Sequence, residues 1–263
     1  MLSDSNARLA AARRLTSPRG RREVGRFLVE GAQGVREALR RPGVVLELFA
    51  TAEALHRHAE VLALAGDRTV AEISERAAAG LSETVTPQGL IAVCHLLDRG
   101  LDEVLAGRPR LVAVLVEANE PGNAGAILRT ADAAGADAVL LVGNSVDVYN
   151  GKAVRATAGS LFHLDVVTSL DPVAAVTACR TAGLQTLATT GSATEDLDQL
   201  LDQGVLKAPT AWIFGNEARG LPGEVLAAAS RQVRVPIHGR AESLNLAAAA
   251  AVCLYSSARA QRR

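Results

Sequence analysis

The chain has 263 residues, with 28 Lys+Arg balanced by 28 Asp+Glu, 49% hydrophobic residues and only 3% aromatic residues. That length holds one large domain or two modest ones, and the apolar content is enough to bury a core without disulfides or metals. Cys94, Cys179 and Cys253 are odd in number, far apart and set in apolar runs, which excludes a disulfide framework or a Cys-based metal site. They read as small buried hydrophobes in a reducing compartment. No apolar stretch reaches about 18 residues and the N-terminus lacks a signal-like apolar segment, so no membrane is expected and the location expected is cytoplasmic. With so few aromatics, any nucleic-acid binding relies little on base stacking.

The neutral total hides a local excess. Residues 1–26 carry seven arginines (Arg8, Arg13, Arg14, Arg19, Arg21, Arg22, Arg26) against Asp4 and Glu23. Such a cluster either contacts phosphates or forms a solvated, partly disordered tail, and charge alone favours neither. Next come strand-like Arg26–Glu30, a helix beginning at Gly31, a strand at Val44–Phe49, a helix through Leu64, and strands at Thr69–Ile73 and Leu90–Cys94. This alternation predicts a small α/β/α domain over residues 1–98. Residues 99–110 read as a linker around a short helix.

From Leu111 onward the βα alternation strengthens. Leu111–Val116 is a continuous apolar run, the signature of a parallel strand covered on both faces. A helix is predicted from Ala124 to Ala134. Strands are predicted at Ala138–Val142, Leu164–Val167, Leu184–Ala188, Ala211–Phe214 and Val233–Val235, with a last helix from Leu244 to Ala260. The fold class is therefore α/β, with an open, mostly parallel sheet in residues 111–263 whose binding site lies beyond the C-terminal strand ends.

Three polar, glycine-containing clusters each follow an apolar strand. In 117–129, Asn123 reads as a helix N-cap with Arg129 six residues later; alone, this is an ordinary βα turn. In 214–222, Gly215 and Gly220 flank Glu217, and Pro222 suits the first turn of a helix. No GK[ST] follows, so this is not a phosphate-binding P-loop, and residues 117–125 lack the GxGxxG of a dinucleotide-dependent oxidoreductase. In 235–246, Ser243 sits where a helix N-cap is expected. No Gly-x-Ser-x-Gly elbow surrounds it, which argues against a hydrolase nucleophile. His238 reads as a loop residue.

Taken in order, Pro121-x-Asn123-x-Gly125-x-x-x-Arg129, Gly215-Asn216-Glu217-x-x-Gly220-Leu221 and Pro236-x-x-Gly239-x-x-x-Ser243-Leu244-Asn245 resemble the three motifs of the SpoU (TrmH-like) RNA methyltransferases. Lys152–Gly159 with His163-Leu164 is similar to the family's segment between the first two motifs. Arg26–Gly31 is similar to its L30e-like substrate-binding domain. The resemblance implies a deep trefoil knot in the C-terminal part, against the general rarity of knots. It implies S-adenosylmethionine as cofactor, without metal, bound by Thr190, Gly191, Gly215, Val235, Ile237 and Leu244. It assigns the chemistry to Arg129, Asn123, Glu217, Ser243 and Asn245, and implies a homodimer with each site completed by the partner. The reaction implied is methylation of an RNA ribose 2′-hydroxyl, with 23S ribosomal RNA favoured over tRNA. A non-catalytic RNA-binding protein of the same fold would be expected to have lost motif residues, yet all five are present.

Overall fold

The computed structural model describes residues 1–84 and 86–262. They fall into two compact units, Met1–Leu97 with Asp147–Phe162, and Asp98–Val146 with His163–Arg263.

In the first unit, strands β1 (Arg26–Glu30), β2 (Val45–Ala50), β3 (Val70–Glu72) and β4 (Leu90–His95) form a mixed sheet in the order β1-β4-β2-β3. β4 runs antiparallel to both neighbours, and β3 is parallel to β2. β4 is apolar and buried from Leu90 to Cys94, as its central position requires. The arginine-rich start is helical: Ala7–Arg14 is capped by Asn6 and Pro18–Val24 by Ser17. It is not simply a solvated tail, because Arg21 is buried. Its guanidinium donates twice to Asp147 Oδ2, at 2.7 and 2.9 Å, and once to the Leu15 carbonyl at 2.8 Å. Arg8 pairs with Glu47, while Arg14 and Arg19 share Glu23.

Asp147–Phe162 comes from the interior of the 111–263 stretch, yet its residues pack into this first unit. It contributes a helix, Gly151–Ala156, capped by Asn150. Tyr149 accepts a hydrogen bond from the Leu97 amide at 2.9 Å and places its ring 4.8 Å from that of Phe27. Phe27 also stacks on Phe162.

The second unit is built on seven strands: β5 (Leu111–Val116), β6 (Ala138–Val142), β7 (Asp165–Leu170), β8 (Gln185–Thr189), β9 (Glu195–Asp196), β10 (Thr210–Phe214) and β11 (Arg231–Arg234). Their order is β7-β6-β5-β10-β8-β11-β9, and every ladder is parallel. β5, β6 and β10 are buried along their whole length, because helices on both faces cover the middle of such a sheet. The last helix, Leu246–Gln261, packs on helix Pro121–Ala134 and on β10. There the buried Trp212 indole donates to the Ser257 hydroxyl at 2.8 Å. Among the described residues, no helix is long and apolar enough to cross a membrane.

Three local expectations change. The helix expected from Ala124 begins at Pro121 and is capped by Glu120, so Asn123 lies inside its first turn. Pro222 precedes helix Gly223–Ala228 as its cap residue, and the last helix is capped by Asn245, two residues beyond Ser243. At the first and last of these helices a neighbour two or three positions away supplies the capping oxygen: Glu120 to the Gly122 amide, and Asn245 to the amides of Ala247 and Ala248.

Candidate active site

The loops that leave β5, β8, β10 and β11 emerge from four adjacent strands of one parallel sheet, all at its C-terminal edge. They enclose a cavity of about 490 Å³. Its lining includes Asn123 from beyond β5, Thr190 and Gly191 from beyond β8, Gly215 and Glu217 from beyond β10, and Val235, Ile237, Ser243, Leu244 and Asn245 from beyond β11. Ten of the eleven residues singled out in the sequence thus meet in one place.

A chain of side-chain hydrogen bonds ties three of the loops together. Asn245 Nδ2 donates to Asn123 Oδ1 at 3.2 Å, and Asn123 Nδ2 donates to Glu217 Oε1 at 3.1 Å. Asn245 Oδ1 also accepts from the amides of Ala247 and Ala248, which fixes the start of the last helix against the same network. Because Asn123 is inside its helix, its side chain is free to bridge the other two loops.

The β10 loop is a tight reversal. Asn216 and Gly220 exchange backbone hydrogen bonds at 2.8 and 3.0 Å, with Gly220 at φ +68°. A Cβ at Gly215 would come within 2.4 Å of the Gly220 carbonyl carbon, so both glycines are required by the turn. Asn216, the middle residue of the Gly215-Asn216-Glu217 motif, is buried and holds the loop. Its amide donates to the Glu117 carbonyl at 2.8 Å and accepts from the amides of Ala218 and Arg219. Arg219 closes the same corner on the Glu117 carboxylate at 2.8 Å.

On the far side, the Thr190 amide bonds to the Val233 carbonyl, and Thr190 and Ser192 share a hydroxyl contact. Residues 235–245 form neither helix nor strand, so their backbone groups are not used in a ladder. Ile237 and Leu244 are large apolar side chains left exposed there. The cavity's ionisable lining residues are Glu217 and Glu242, both carboxylates. Glu242 was not among the candidates, since a single acidic loop residue gives no sequence signal.

Arg129 stands apart. It is exposed on helix Pro121–Ala134, does not line the cavity, and has no ion-pair partner among the described residues. At 3.6 residues per turn, six positions place it roughly 120° around the helix from Asn123. His238 is exposed in the β11 loop and does not line the cavity either.

Residues 110–255 match the model of the SpoU rRNA Methylase family, and residues 6–92 match the MRM3-like substrate binding domain. The chain is 33% identical over 260 residues to the 23S rRNA (guanosine(2553)-2′-O)-methyltransferase RlmP of Bacillus subtilis, covering 96% of both chains. It is 31% identical to the 23S rRNA (uridine(2479)-2′-O)-methyltransferase of Streptomyces viridochromogenes, covering 98% of this chain and 91% of that one. Among solved structures, the SpoU methyltransferase AviRb from Streptomyces viridochromogenes in complex with the cofactor AdoMet superposes with a TM-score of 0.82. That match has 30% identity and covers 98% of this chain and 99% of the other. With the ordered motifs gathered around one cavity and a family match over more than half its length, the chain belongs to the SpoU rRNA methylase family.

Proposed function

We propose that the chain is an S-adenosylmethionine-dependent RNA 2′-O-ribose methyltransferase acting on 23S ribosomal RNA. The carrying observation is the cavity at the C-terminal ends of β5, β8, β10 and β11, where three loops are locked by the Asn245–Asn123–Glu217 hydrogen bonds. Two relatives that match along nearly the whole chain are named as 23S rRNA 2′-O-methyltransferases, and their likeness supports rRNA as the substrate.

The cavity's chemistry fits the cofactor. Its volume falls within the roughly 300–1,000 Å³ of pockets that enclose a small ligand. Val235, Ile237 and Leu244 offer apolar surface for an adenine, and the backbone of Thr190, Gly191 and Gly215 offers hydrogen-bonding groups. Glu217 and Glu242 give the cavity negative charge, which suits a ligand with one net positive charge. S-adenosylmethionine supplies a methyl group on a sulfonium, ready for displacement by an oxygen nucleophile.

The remaining task is to orient the ribose hydroxyl and stabilise the charge that develops as its proton leaves. Ser243 supplies a hydroxyl to the cavity, and Asn123, braced by Glu217 and Asn245, supplies an amide. Arg129 is the cation of the set. As a guanidinium, which is a cation and not a base, it serves best as the clamp on the phosphate beside the reacting ribose and as a stabiliser of the developing oxyanion.

Arg129 does not line its own chain's cavity, which supports a homodimer in which each arginine serves the partner's site. Val252 and Tyr255 on the last helix and Ile237 and Leu244 at the cavity are exposed apolar side chains that such a dimer would cover. The family match over residues 110–255 supports the expected trefoil knot.

Arg129→Ala tests the assignment. We expect kcat to fall by at least about 10²-fold, the scale for loss of one charge-stabilising group, with calorimetric affinity for S-adenosylmethionine unchanged. Full activity in that variant would remove Arg129 from the mechanism.

A further inference from the structure

The first unit contains a groove that the methyl-transfer cavity leaves unused. We propose that it holds one unpaired nucleotide of the RNA, a reading that rests on the RNA methyltransferase function above. The groove has a volume of about 430 Å³, within the range of pockets that enclose a small ligand. Three stretches far apart in sequence form it. The helix after β1 contributes Gln33 and Arg36, the loop before β4 contributes Thr84, Thr86 and Gln88, and segment Asp147–Phe162 contributes Arg155. It therefore combines residues from the substrate-binding match over 6–92 with residues from inside the SpoU match over 110–255.

The balance of charge identifies the ligand class. Glu30, Arg36 and Arg155 are the ionisable residues that line the groove. Glu30 is already satisfied: it accepts from the Ser82 hydroxyl at 2.7 Å, from the Thr84 hydroxyl at 3.2 Å and from Arg155 at 3.4 Å. Glu30 and Arg155 thus offset each other. Arg36 is half-buried and donates to the Gln33 side-chain oxygen at 3.3 Å, with no carboxylate partner among the described residues. A partly desolvated guanidinium without a counter-ion is suited to a phosphate oxygen.

The neutral lining argues for a base beside that phosphate. The amides of Gln33 and Gln88 each carry donors and an acceptor, the Thr86 hydroxyl does both, and the Thr84 hydroxyl, which donates to Glu30, can still accept. This mixture matches a base edge, which displays donors and acceptors together. The groove of an A-form duplex hides the informative base edges, whereas loops and bulges expose them. Among the described residues no aromatic side chain lines the groove, so recognition runs through hydrogen bonds, in keeping with a chain that is only 3% aromatic.

The test uses the full-length enzyme and 23S rRNA, supplied deproteinised and as intact 50S subunits; kinetics are read on whichever the unaltered enzyme methylates. Arg36→Gln should raise the KM for RNA about 5- to 10-fold. It should also make the slope of log affinity against log salt shallower by about one, the signature of one lost phosphate contact. Gln33→Ala, at an exposed position with little risk to folding, should raise KM and leave that slope unchanged. In both, kcat at saturating RNA and calorimetric affinity for S-adenosylmethionine should stay as in the unaltered enzyme, showing an intact methyl-transfer site. Unchanged KM and salt slope in both variants would overturn the groove assignment while leaving the methyltransferase function standing. If the unaltered enzyme neither binds S-adenosylmethionine nor methylates either substrate, the groove assignment falls together with the function it rests on.

Discussion

Asn123 joins the loops beyond β5, β10 and β11 by donating to Glu217 and accepting from Asn245. Its type and spacing marked it as functional, but the expected role of helix cap belongs to Glu120. Its actual partners, Glu217 and Asn245, lie 94 and 122 positions away. No local pattern encodes contacts of that span; they follow from adjacent parallel strands ending at one edge. Glu242 was missed for a related reason, since its significance comes from facing a cavity whose other ionisable group is also acidic. S-adenosylmethionine carries one net positive charge and its demethylated product carries none. Glu242→Gln should therefore weaken binding of the cofactor more than of the product, by about 3- to 10-fold for a solvent-screened pair. Parallel calorimetric titrations of the two ligands check this, and equal weakening of both would show that Glu242 acts through packing and not through charge.

Among the elements, fully buried strands were read with their observed bounds, as at Leu111–Val116 and Ala138–Val142, because a strand covered on both faces is apolar throughout. Strand β11 was expected at Val233–Val235 but spans Arg231–Arg234, with Val233 its buried residue. The backbone ladders to Leu187–Thr189 and to Glu195–Asp196 set its limits, and the side chains do not announce them. The two-residue β9 is polar and was not anticipated for the same reason. The arginine-rich N-terminus hid two helices, since only tertiary contact reveals that Arg21 pairs with Asp147, 126 positions away. That pair is what a buried guanidinium needs. Asp147→Ala would strand the charge, and it should cost about 3 kcal/mol of stability, at the lower end for a broken buried pair because Asp147 is partly exposed. Denaturant titration measures the loss; a change below about 0.5 kcal/mol would mean that water replaces the carboxylate without cost.

For the whole molecule, the class of fold followed from βα alternation, but the division into units did not. Segment Asp147–Phe162 interrupts the second unit in sequence and belongs by its contacts to the first, an exchange that periodicity cannot register. The three cysteines give a probe of the integrity of both units. All are buried; burial pushes the Cys179 thiol up to about 11 and raises Cys94 and Cys253 as well. Cys94 reports on the first unit, and Cys179 and Cys253 report on the second. At neutral pH the native protein should resist alkylation at all three and react fully once unfolded. The sign of the linkage follows: the unfolded thiols ionise near 9.0, below their folded values, so the stabilisation from keeping them neutral is complete below that pH and is lost as pH climbs toward 11 and beyond. Mass spectrometry after a pulse of iodoacetamide across that range checks both points, and rapid labelling of the native chain at pH 7 would contradict the buried placement.

The most direct measurement of the central claim is transfer of labelled methyl from S-adenosylmethionine to 23S rRNA and 50S subunits, followed by digestion to nucleosides. The account predicts a single labelled 2′-O-methylnucleoside, formed by the unaltered enzyme and lost in Arg129→Ala. Label on a base, or no transfer to either substrate together with no calorimetric binding of the cofactor, would contradict it.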